Sequence, residues 1–288
     1  MNPRLSILLP AHQASKTIGL AVLSTLAFMP KRSELLIFLD GENTNSKILS
    51  WVSVRSDVRV LSSKNPIGIS GALNALLDES NGDIIARMDA DDISLPGRFL
   101  KGLKLVSSSS EDFVFTNTIL FGLGVKPFGF LPHLPVGLDN EQSRWLLWLG
   151  NPFAHPTMLA RKSALVSLGG YRNSISEDYD LWLRAAASGF KFRRLRRHGL
   201  LYRIHPGQYT KQKNFESLVR SDPLLREARQ AFKLHLNDGL RDSDEEQLTA
   251  RAMDHLIRSR FGLATQMKFS NWMRKYRTRE TAGEGQRK

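Results

Sequence analysis

Short apolar runs alternate with helix-like segments through the first third of the chain. The runs are residues 5–9, 34–39, 58–61 and 83–88. The first run is apolar nearly throughout, which is typical of a parallel strand that is buried on both faces. Between the runs, an apolar pattern at helical spacing follows Ser15, the expected N-cap, and residues 44–53 and 68–77 suit further helices. This strand–helix rhythm predicts an α/β fold with a parallel sheet.

The rest of the chain continues with strand-like and helix-like segments in a less regular order. Residues 95–118 suit a helix and a strand at Phe113–Phe115, whereas 120–139 are rich in glycine and proline and suit a loop. Further strands and helices are expected at 141–149, 157–168, 177–188 and 191–204.

Composition changes near residue 211, after which charged helical segments dominate. We therefore expect one domain over 1–210, with halves of about 1–118 and 119–210. A basic helical C-terminal extension over 211–288 is expected to follow it.

Polar side chains stand where three of the apolar runs end. They are His12, Asp40 and the group Asp89, Asp91 and Asp92. In parallel α/β sheets, ligands bind beyond the carboxyl ends of the strands. Alternate residues of a strand face the same side, so Asp89 and Asp91 are expected to face one site. Carboxylate pairs of this kind hold Mg²⁺ or Mn²⁺ beside substrate phosphates. The alternative is that Asp91 or Asp92 is an N-cap for the segment that runs through Leu100.

Charge and composition narrow the classes of function. The 288 residues contain 41 Lys and Arg against 28 Asp and Glu, a net charge of +13, which indicates an anionic partner: nucleic acid, a membrane surface or a phosphorylated substrate. The absence of cysteine excludes disulfides, thiolate metal sites and a cysteine nucleophile. No apolar run is long enough to span a bilayer, and Pro10 and His12 interrupt any signal-peptide pattern.

Several motifs occur together in a specific order. They are Ser6–Ala11, Asp40-Gly41, Asn65–Asn74, Gly82–Asp92, His155–Met158, Gly169–Tyr171, Glu177–Arg184 and Tyr202–Gly207. In this order they resemble family-2 glycosyltransferases of the GT-A fold, over roughly residues 3–210. The resemblance implies a Rossmann-like mixed, mainly parallel sheet flanked by helices.

The resemblance also implies roles for individual residues. Asp178 matches the general base of the family. Asp89 and Asp91 match its Asp-X-Asp motif, and His205 lies where some members add a ligand near the metal. The residues implied to bind the nucleotide sugar are Pro10, Ala11, His12, Asp40, Asn65, Gly68, Asn74, Arg87, Asp89 and Ala90. Those implied on the acceptor side are His155, Glu177, Trp182 and Arg184.

Two departures from the family pattern lie in the base-binding loop. Leu39 stands where the first aspartate of Asp-Asp-Gly-Ser is usual, and Glu42-Asn43 replace the usual serine–threonine pair. These changes affect which nucleotide is bound. They leave the positions of the metal ligands and of the general base intact.

The implied function is inverting transfer of a hexosyl or N-acetylhexosaminyl group from a nucleotide-diphosphate sugar. The implied acceptor is a hydroxyl of a glycan or a lipid-linked molecule in cell-surface polysaccharide biosynthesis, with Mn²⁺ or Mg²⁺ as cofactor. A single displacement from the face opposite the leaving group needs no enzyme nucleophile, only a base for the acceptor hydroxyl. Because a free aspartate is a weak base, partial burial beside Glu177 is expected to raise the pKa of Asp178. The implied location is cytoplasmic, with peripheral attachment to the inner membrane.

Other interpretations of the sequence remain open. A sugar-phosphate nucleotidyltransferase would need a glycine-rich basic loop after the first strand, and residues 10–15 contain no glycine. A non-enzymatic nucleic-acid-binding protein would use the basic run Lys191–Arg197, which also suits an edge strand with a basic outer face. Specific nucleic-acid binding is not expected. The basic C-terminal segment, with Phe261 and Trp272, suits either an anionic membrane surface or a helical cap on the core.

Overall fold

The first four strands and their connecting helices are present in the expected order in a computed structural model. It describes residues 5–41, 47–52, 54–122, 130–132, 137–206, 208, 214–236 and 245–258. The first elements are β1 (Leu5–Ala11), α1 (Ile18–Phe28), β2 (Ser33–Asp40), α2 (Lys47–Val52), β3 (Val58–Ser63), α3 (Gly68–Glu79) and β4 (Ile84–Arg87). Every residue of β1 is buried, as its apolar run predicts. The expected cap at Ser15 is wrong, because α1 begins after Thr17.

The later elements include the expected helices and strands, together with short strands that the sequence did not predict. They are β5 (Ile93–Ser94), α4 (Leu100–Ser107), β6 (Phe113–Gly122), β7 (Phe130–Pro132), α5 (Asn140–Leu149), a 3₁₀ turn (His155–Thr157), β8 (Leu159–Arg161), α6 (Lys162–Ser167), α7 (Glu177–Ala187), β9 (Phe192–Ile204), α8 (Phe215–Ser221), α9 (Pro223–Leu236) and α10 (Glu245–Arg258). Part of the expected loop over 120–139 is strand, in β6 and β7, and residues 123–129 and 133–136 of it lie outside the described residues. The N-cap of α4 is Phe99, so the capping alternative for Asp91 and Asp92 is wrong.

The described strands form one mixed sheet in the order β3-β2-β1-β4-β8-β6-β9-β5, with β7 paired to β6. Strand β1 pairs in parallel with β2 on one side and β4 on the other. The chain order therefore reverses direction at β1, and a ligand crevice forms at such a point, beyond the carboxyl ends of the strands. The expected mixed, mainly parallel sheet flanked by helices is confirmed. Strand β5 pairs with β9 only at Leu200 and Leu201. The basic run Lys191–Arg197 therefore has β6 on one side and, among the described residues, a single bridge from Leu138 to Arg194 on the other, which agrees with the edge-strand interpretation.

An aromatic core joins α7 to the second half of the sheet. The Trp182 ring contacts Phe113 and Phe115 edge-on, with ring centroids 5.6 and 5.1 Å apart. Phe153 stacks on Phe115 at 4.0 Å and on Phe192 at 5.7 Å. These rings fix α7, and hence its N-terminus, against the strands.

The chain divides into two compact units, Met1–Asp242 and Ser243–Lys288. The first contains the whole sheet together with α8 and α9. Of the second, the structure describes α10, in which Leu248 and Ala252 are buried. Among the described residues, no helix has the length and apolar character needed to cross a membrane. Phe261 and Trp272 lie outside the described residues, so membrane binding through that segment stays a prediction.

Candidate active site

Hydrogen bonds join the carboxyl ends of β1 and β2. The Nδ1 atom of His12, just after β1, lies 2.7 Å from the backbone oxygen of Asp40, the last residue of β2. The Asp40 carboxylate accepts hydrogen bonds from the backbone N–H groups of Ile67 (2.7 Å) and Gly68 (3.0 Å). Gly68 has φ +76°, a conformation that favours glycine. Asp40 therefore anchors the start of α3 at the edge where base binding is predicted.

The other residues predicted at this edge differ in exposure. Pro10 and Ala11 are buried as the last residues of β1, whereas Asn65 is exposed in the loop before α3. The Asn65 backbone oxygen accepts a hydrogen bond from the Ser63 hydroxyl at 2.7 Å. Ala90 is buried between the aspartates that follow β4. Nucleotide contacts for these residues stay predictions.

Three carboxylates converge just after β4. Asp89, Asp91 and Asp92 place carboxylate oxygens within 4.8 Å of one another. Asp89 Oδ1 lies 2.5 Å from a guanidinium nitrogen of Arg87, and Asp91 Oδ2 lies 3.2 Å from His205 Nε2. Strand alternation, the expected cause of this convergence, is wrong. Strand β4 ends at Arg87, and the aspartates meet in a turn rather than on alternate strand positions.

Burial and mutual repulsion raise the pKa of two of these carboxyls. Burial and then the charge of Asp89 raise the pKa of Asp91, although His205 acts in the opposite direction. Burial and the charges of Asp89 and Asp91 raise the pKa of Asp92 well above its ordinary value. Asp92 Oδ2 is also buried with no hydrogen-bond partner among the described residues. A hard divalent cation would satisfy this oxygen and offset the repulsion, so the donor set fits Mn²⁺ or Mg²⁺.

Two arginines that the sequence analysis did not select support the acidic cluster. The backbone N–H of Arg203 on β9 donates to Asp92 Oδ1 at 2.8 Å, and its Nε donates to the backbone oxygen of Asp91 at 2.7 Å. Arg98 is fully buried and donates to the backbone oxygen of Arg87. Burial lowers the pKa of Arg98 to about 10. Arg203 lies within the Tyr202–Gly207 motif, which offered a signal, whereas no pattern marks Arg98.

The predicted base, Asp178, lies at the start of α7 and receives three hydrogen bonds. Its Oδ2 accepts from the side-chain amide of Asn151 at 2.7 Å. Its Oδ1 accepts from the Ser176 hydroxyl at 2.9 Å and from the backbone N–H of Tyr179 at 2.7 Å. Burial, followed by the charge of Glu177, raises the pKa of Asp178 in spite of these donors. The expected direction of this shift is confirmed.

A second acidic residue beside the base is paired with a histidine. Glu177 Oε1 lies 3.4 Å from His155 Nδ1, and the other ring nitrogen of His155 lies 3.1 Å from the Tyr171 hydroxyl. Burial acts to raise the pKa of Glu177, but the hydrogen bond and charge of His155, a backbone hydrogen bond and the charge of Arg87 together outweigh it, and the net shift is downward. Neighbouring carboxyls thus have opposite shifts, which favours charge on Glu177 and basicity at Asp178.

Tyr202 on β9 indicates that the acidic cluster and the base belong to one site. Burial raises the pKa of its phenol, and so do the negative charges of Asp89, Asp92, Asp91 and Asp178. The charges of both groups of carboxylates therefore act on this tyrosine. The candidate cation site and the candidate base thus both lie near this phenol.

Asn74 on α3 is hydrogen-bonded to the loop that precedes α7. Its amide nitrogen donates to the backbone oxygen of Tyr171, and its amide oxygen accepts from the backbone N–H of Tyr171, both at 2.8 Å. A Cβ on Gly170 would lie 2.5 Å from the Asn74 amide oxygen, so this close approach requires glycine. The brace ties α3 to the loop that leads to α7, and a nucleotide contact for Asn74 stays a prediction.

The two other residues predicted from the α7 motif make internal contacts. Trp182 is fully buried in the aromatic core. Arg184 donates to the buried carboxylate of Asp180 at 2.9 Å and to the backbone oxygen of Gly170 at 2.8 Å. Arg172 donates to the same carboxylate at 2.6 Å. These contacts position the loop before α7, and an acceptor contact for Trp182 or Arg184 stays a prediction.

The start of helix α9 also holds the loop before α7. One oxygen of Asp222 accepts hydrogen bonds from the Ser174 hydroxyl at 2.9 Å and from the backbone N–H of Ile175 at 2.7 Å. The other oxygen accepts from the backbone N–H groups of Leu224 and Leu225 in the first turn of α9. Asp222 thus holds the start of α9 and the segment before the base together.

Replacing Asp180 with alanine is expected to destabilise the protein by about 3–5 kcal/mol, because two arginines lose a fully buried partner. Urea unfolding measures the change. The matched control is Glu227→Ala, which removes an exposed partner of Arg172 and should cost less than about 1 kcal/mol. Equal effects of the two substitutions would contradict the role given to Asp180.

Comparison with known proteins places these features in a family. The family model described as "Glycosyl transferase family 2" matches residues 6–169. EpsE of Bacillus subtilis (strain 168) is 27% identical over 247 residues, which cover 82% of this chain and 86% of EpsE. An Escherichia coli enzyme named UDP-Gal:alpha-D-GlcNAc-diphosphoundecaprenol beta-1,3-galactosyltransferase is 30% identical over 166 residues, 54% of this chain and 57% of that protein.

A solved structure shares the fold. It is the crystal structure of S. aureus TarS 1-349 in complex with UDP-GlcNAc, with a TM-score of 0.62 and 14% sequence identity. The similarity covers 91% of this chain and 77% of TarS 1-349.

Proposed function

Because the chain belongs to glycosyl transferase family 2, and is thus a glycosyltransferase, we propose that it moves a hexosyl or N-acetylhexosaminyl group from a nucleotide-diphosphate sugar to an acceptor hydroxyl. The observation that carries this proposal is the pairing of the Asp89–Asp92 cluster with Asp178 around Tyr202. A cation-binding edge beside a base with a raised pKa suits a reaction that expels a diphosphate while deprotonating an alcohol.

On the donor side, Asp89, Asp91 and Asp92 would hold Mn²⁺ or Mg²⁺, with His205 beside Asp91. When bound, the cation neutralises charge on the diphosphate leaving group. Arg87 and Arg203 keep the carboxylates in place through Asp89 and the Asp91 backbone. The nucleoside lies, in this proposal, along His12, Asp40 and the start of α3.

On the acceptor side, Asp178 takes the proton of the attacking hydroxyl. The acceptor oxygen forms a bond to C1 of the sugar as the bond from C1 to the diphosphate oxygen breaks. The electron pair of the broken bond leaves with the nucleoside diphosphate. Attack from the face opposite the leaving group inverts the anomeric centre, and no covalent enzyme intermediate is required.

We propose a glycan or lipid-linked acceptor in cell-surface polysaccharide biosynthesis. The diphosphoundecaprenol-linked acceptor named for the Escherichia coli relative supports this choice. A cytoplasmic location, with peripheral attachment to the inner membrane, agrees with such an acceptor and with the net charge of +13. The family match favours glycosyl transfer over nucleotidyl transfer and over nucleic-acid binding.

A thermal-shift panel of UDP-glucose, UDP-galactose and UDP-GlcNAc with Mn²⁺ tests the donor. The true donor at a hundred times its dissociation constant should stabilise the fold by about 2.7 kcal/mol, a rise in Tm of roughly 5–10 °C. The control repeats the panel with EDTA, which should reduce the rise. If no nucleotide sugar, including those with other bases, raises the Tm, the proposed function is wrong.

A further inference from the structure

The two carboxylate oxygens of Asp178 accept different numbers of hydrogen bonds. Each carboxylate oxygen offers two lone pairs. Both lone pairs of Oδ1 are used, by the Ser176 hydroxyl and the backbone N–H of Tyr179, whereas Oδ2 accepts only from Asn151. Among the described contacts, one acceptor position therefore remains, on Oδ2.

Asn151 is itself fixed in orientation. Its amide oxygen accepts a hydrogen bond from the backbone N–H of Phe153 at 3.2 Å, so the amide nitrogen has to face Asp178 Oδ2. The residue follows α5 directly after Gly150, and it is exposed, whereas Asp178 is half-buried. Asn151 therefore contacts the base from an exposed position.

We propose that Asn151 is a positioning residue that orients Asp178 and leaves Oδ2 as the atom that takes the acceptor proton. The inference rests on the proposed function and deepens it. Asn151 occupies one lone pair of Oδ2 and directs the other toward the acceptor. The proton moves from the acceptor hydroxyl to that lone pair, and the acceptor oxygen bonds to C1 of the donor sugar as the diphosphate leaves.

Other titratable groups around Asp178 lie in four parts of the chain. They are Glu177 on α7, His155 in the 3₁₀ turn, Tyr171 in the preceding loop and Tyr202 on β9. The Asn151 amide is neutral at every working pH. Its removal in Asn151→Ala therefore changes the titration of Asp178 without adding a titrating group, whereas Asn151→Asp adds a carboxyl whose titration is coupled to that of Asp178.

Two substitutions of Asn151 separate orientation of the base from loop structure. Asn151→Ala removes the donor to Oδ2 and the acceptor for Phe153. Asn151→Asp has nearly the same shape and keeps the acceptor for Phe153, but it replaces the donor with a negative charge. A purely structural role predicts that Asn151→Asp resembles the wild type, whereas our proposal predicts that it is the more impaired variant. Asn173→Ala, in the exposed part of the loop before α7, is the matched control.

The first measurement is a ¹³C-carboxyl NMR titration, with the Asp178 signal assigned from its loss in Asp178→Asn. We expect the Asp178 midpoint to rise by about one pH unit in Asn151→Ala, by more in Asn151→Asp, and to stay unchanged in Asn173→Ala. Equal midpoints in the wild type and both Asn151 variants would overturn the inference, whatever the activity.

The second measurement is the pH profile of UDP release, with water as the acceptor, from the UDP-sugar that gives the largest thermal shift. We expect the acid limb in Asn151→Ala to move upward with the NMR midpoint and the plateau rate to fall on the order of tenfold. A wild type that releases no nucleoside diphosphate from any nucleotide sugar counts against the proposed function, and the NMR titration still decides the role of Asn151. A wild type that reacts, with an unchanged profile in both variants, counts against Asn151 alone.

Discussion

Replacing Asp178 with asparagine is expected to lower the rate of sugar transfer by about 10²- to 10⁴-fold, the usual contribution of a positioned general base. The amide keeps the size of the carboxylate and its contacts with Ser176 and Tyr179 but accepts no proton at working pH. Nucleotide-sugar affinity should remain within about twofold, because the substitution lies on the acceptor side of the proposed reaction. Single-turnover transfer and the donor-induced thermal shift measure the two quantities separately.

The control for this substitution is Asp78→Asn, which makes the same chemical change at an exposed position of α3. The raised pKa of Asp178 adds a pH signature in the wild-type enzyme. The base has to be ionised, so activity should fall as the pH drops through a midpoint above the ordinary aspartate range. Near-normal turnover by Asp178→Asn would show that another group takes the proton.

Replacing Asp91 with alanine is expected to abolish the response to Mn²⁺ or Mg²⁺ and to lower transfer by about a thousandfold. The substitution removes one of three converging carboxylates and the partner of His205. Lewis-acid stabilisation of a leaving group contributes several kcal/mol, and each 1.36 kcal/mol is tenfold in rate. Transfer rates measured across a titration of Mn²⁺ test the expectation.

Asp83→Ala is the matched control for the cation site, because Asp83 is an exposed aspartate at the other end of β4. It should keep both the cation response and the rate. Full wild-type activity in excess EDTA would contradict a cation-dependent reaction, irrespective of what either variant does.

The carboxyl edge of the sheet could be predicted from the sequence, because each buried parallel strand corresponds to a local apolar run. Strands β1, β2 and β4 each end at or beside a polar group that the sequence marks: His12, Asp40 and Asp89. Strands buried on both faces leave a strong hydrophobic signal, and the polar residue that ends each run is visible for the same reason. Hence the architecture and the acidic cluster could be predicted without knowledge of the strand order.

The residues that orient the reactive groups could not be predicted in this way. Asn151 reaches Asp178 across 27 residues, and Arg203 reaches Asp91 across 112. Such contacts depend on how a turn and a strand meet in space, and no periodicity or local spacing reports that. The error over Asp89 and Asp91 has the same origin, because strand alternation is a local rule and the aspartates lie in a turn fixed partly by β9.

During synthesis Asp222 is added to the chain only after every strand of the sheet. The last strand of the sheet ends at Ile204, yet the segment before Asp178 gains its contact with Asp222 only when the start of α9 is in place. A nascent chain can therefore pair its strands before the base-bearing loop is secured. A chain that ends near residue 210 lacks Asp222 and α9 and should therefore hold the base-bearing loop less firmly than the full chain does.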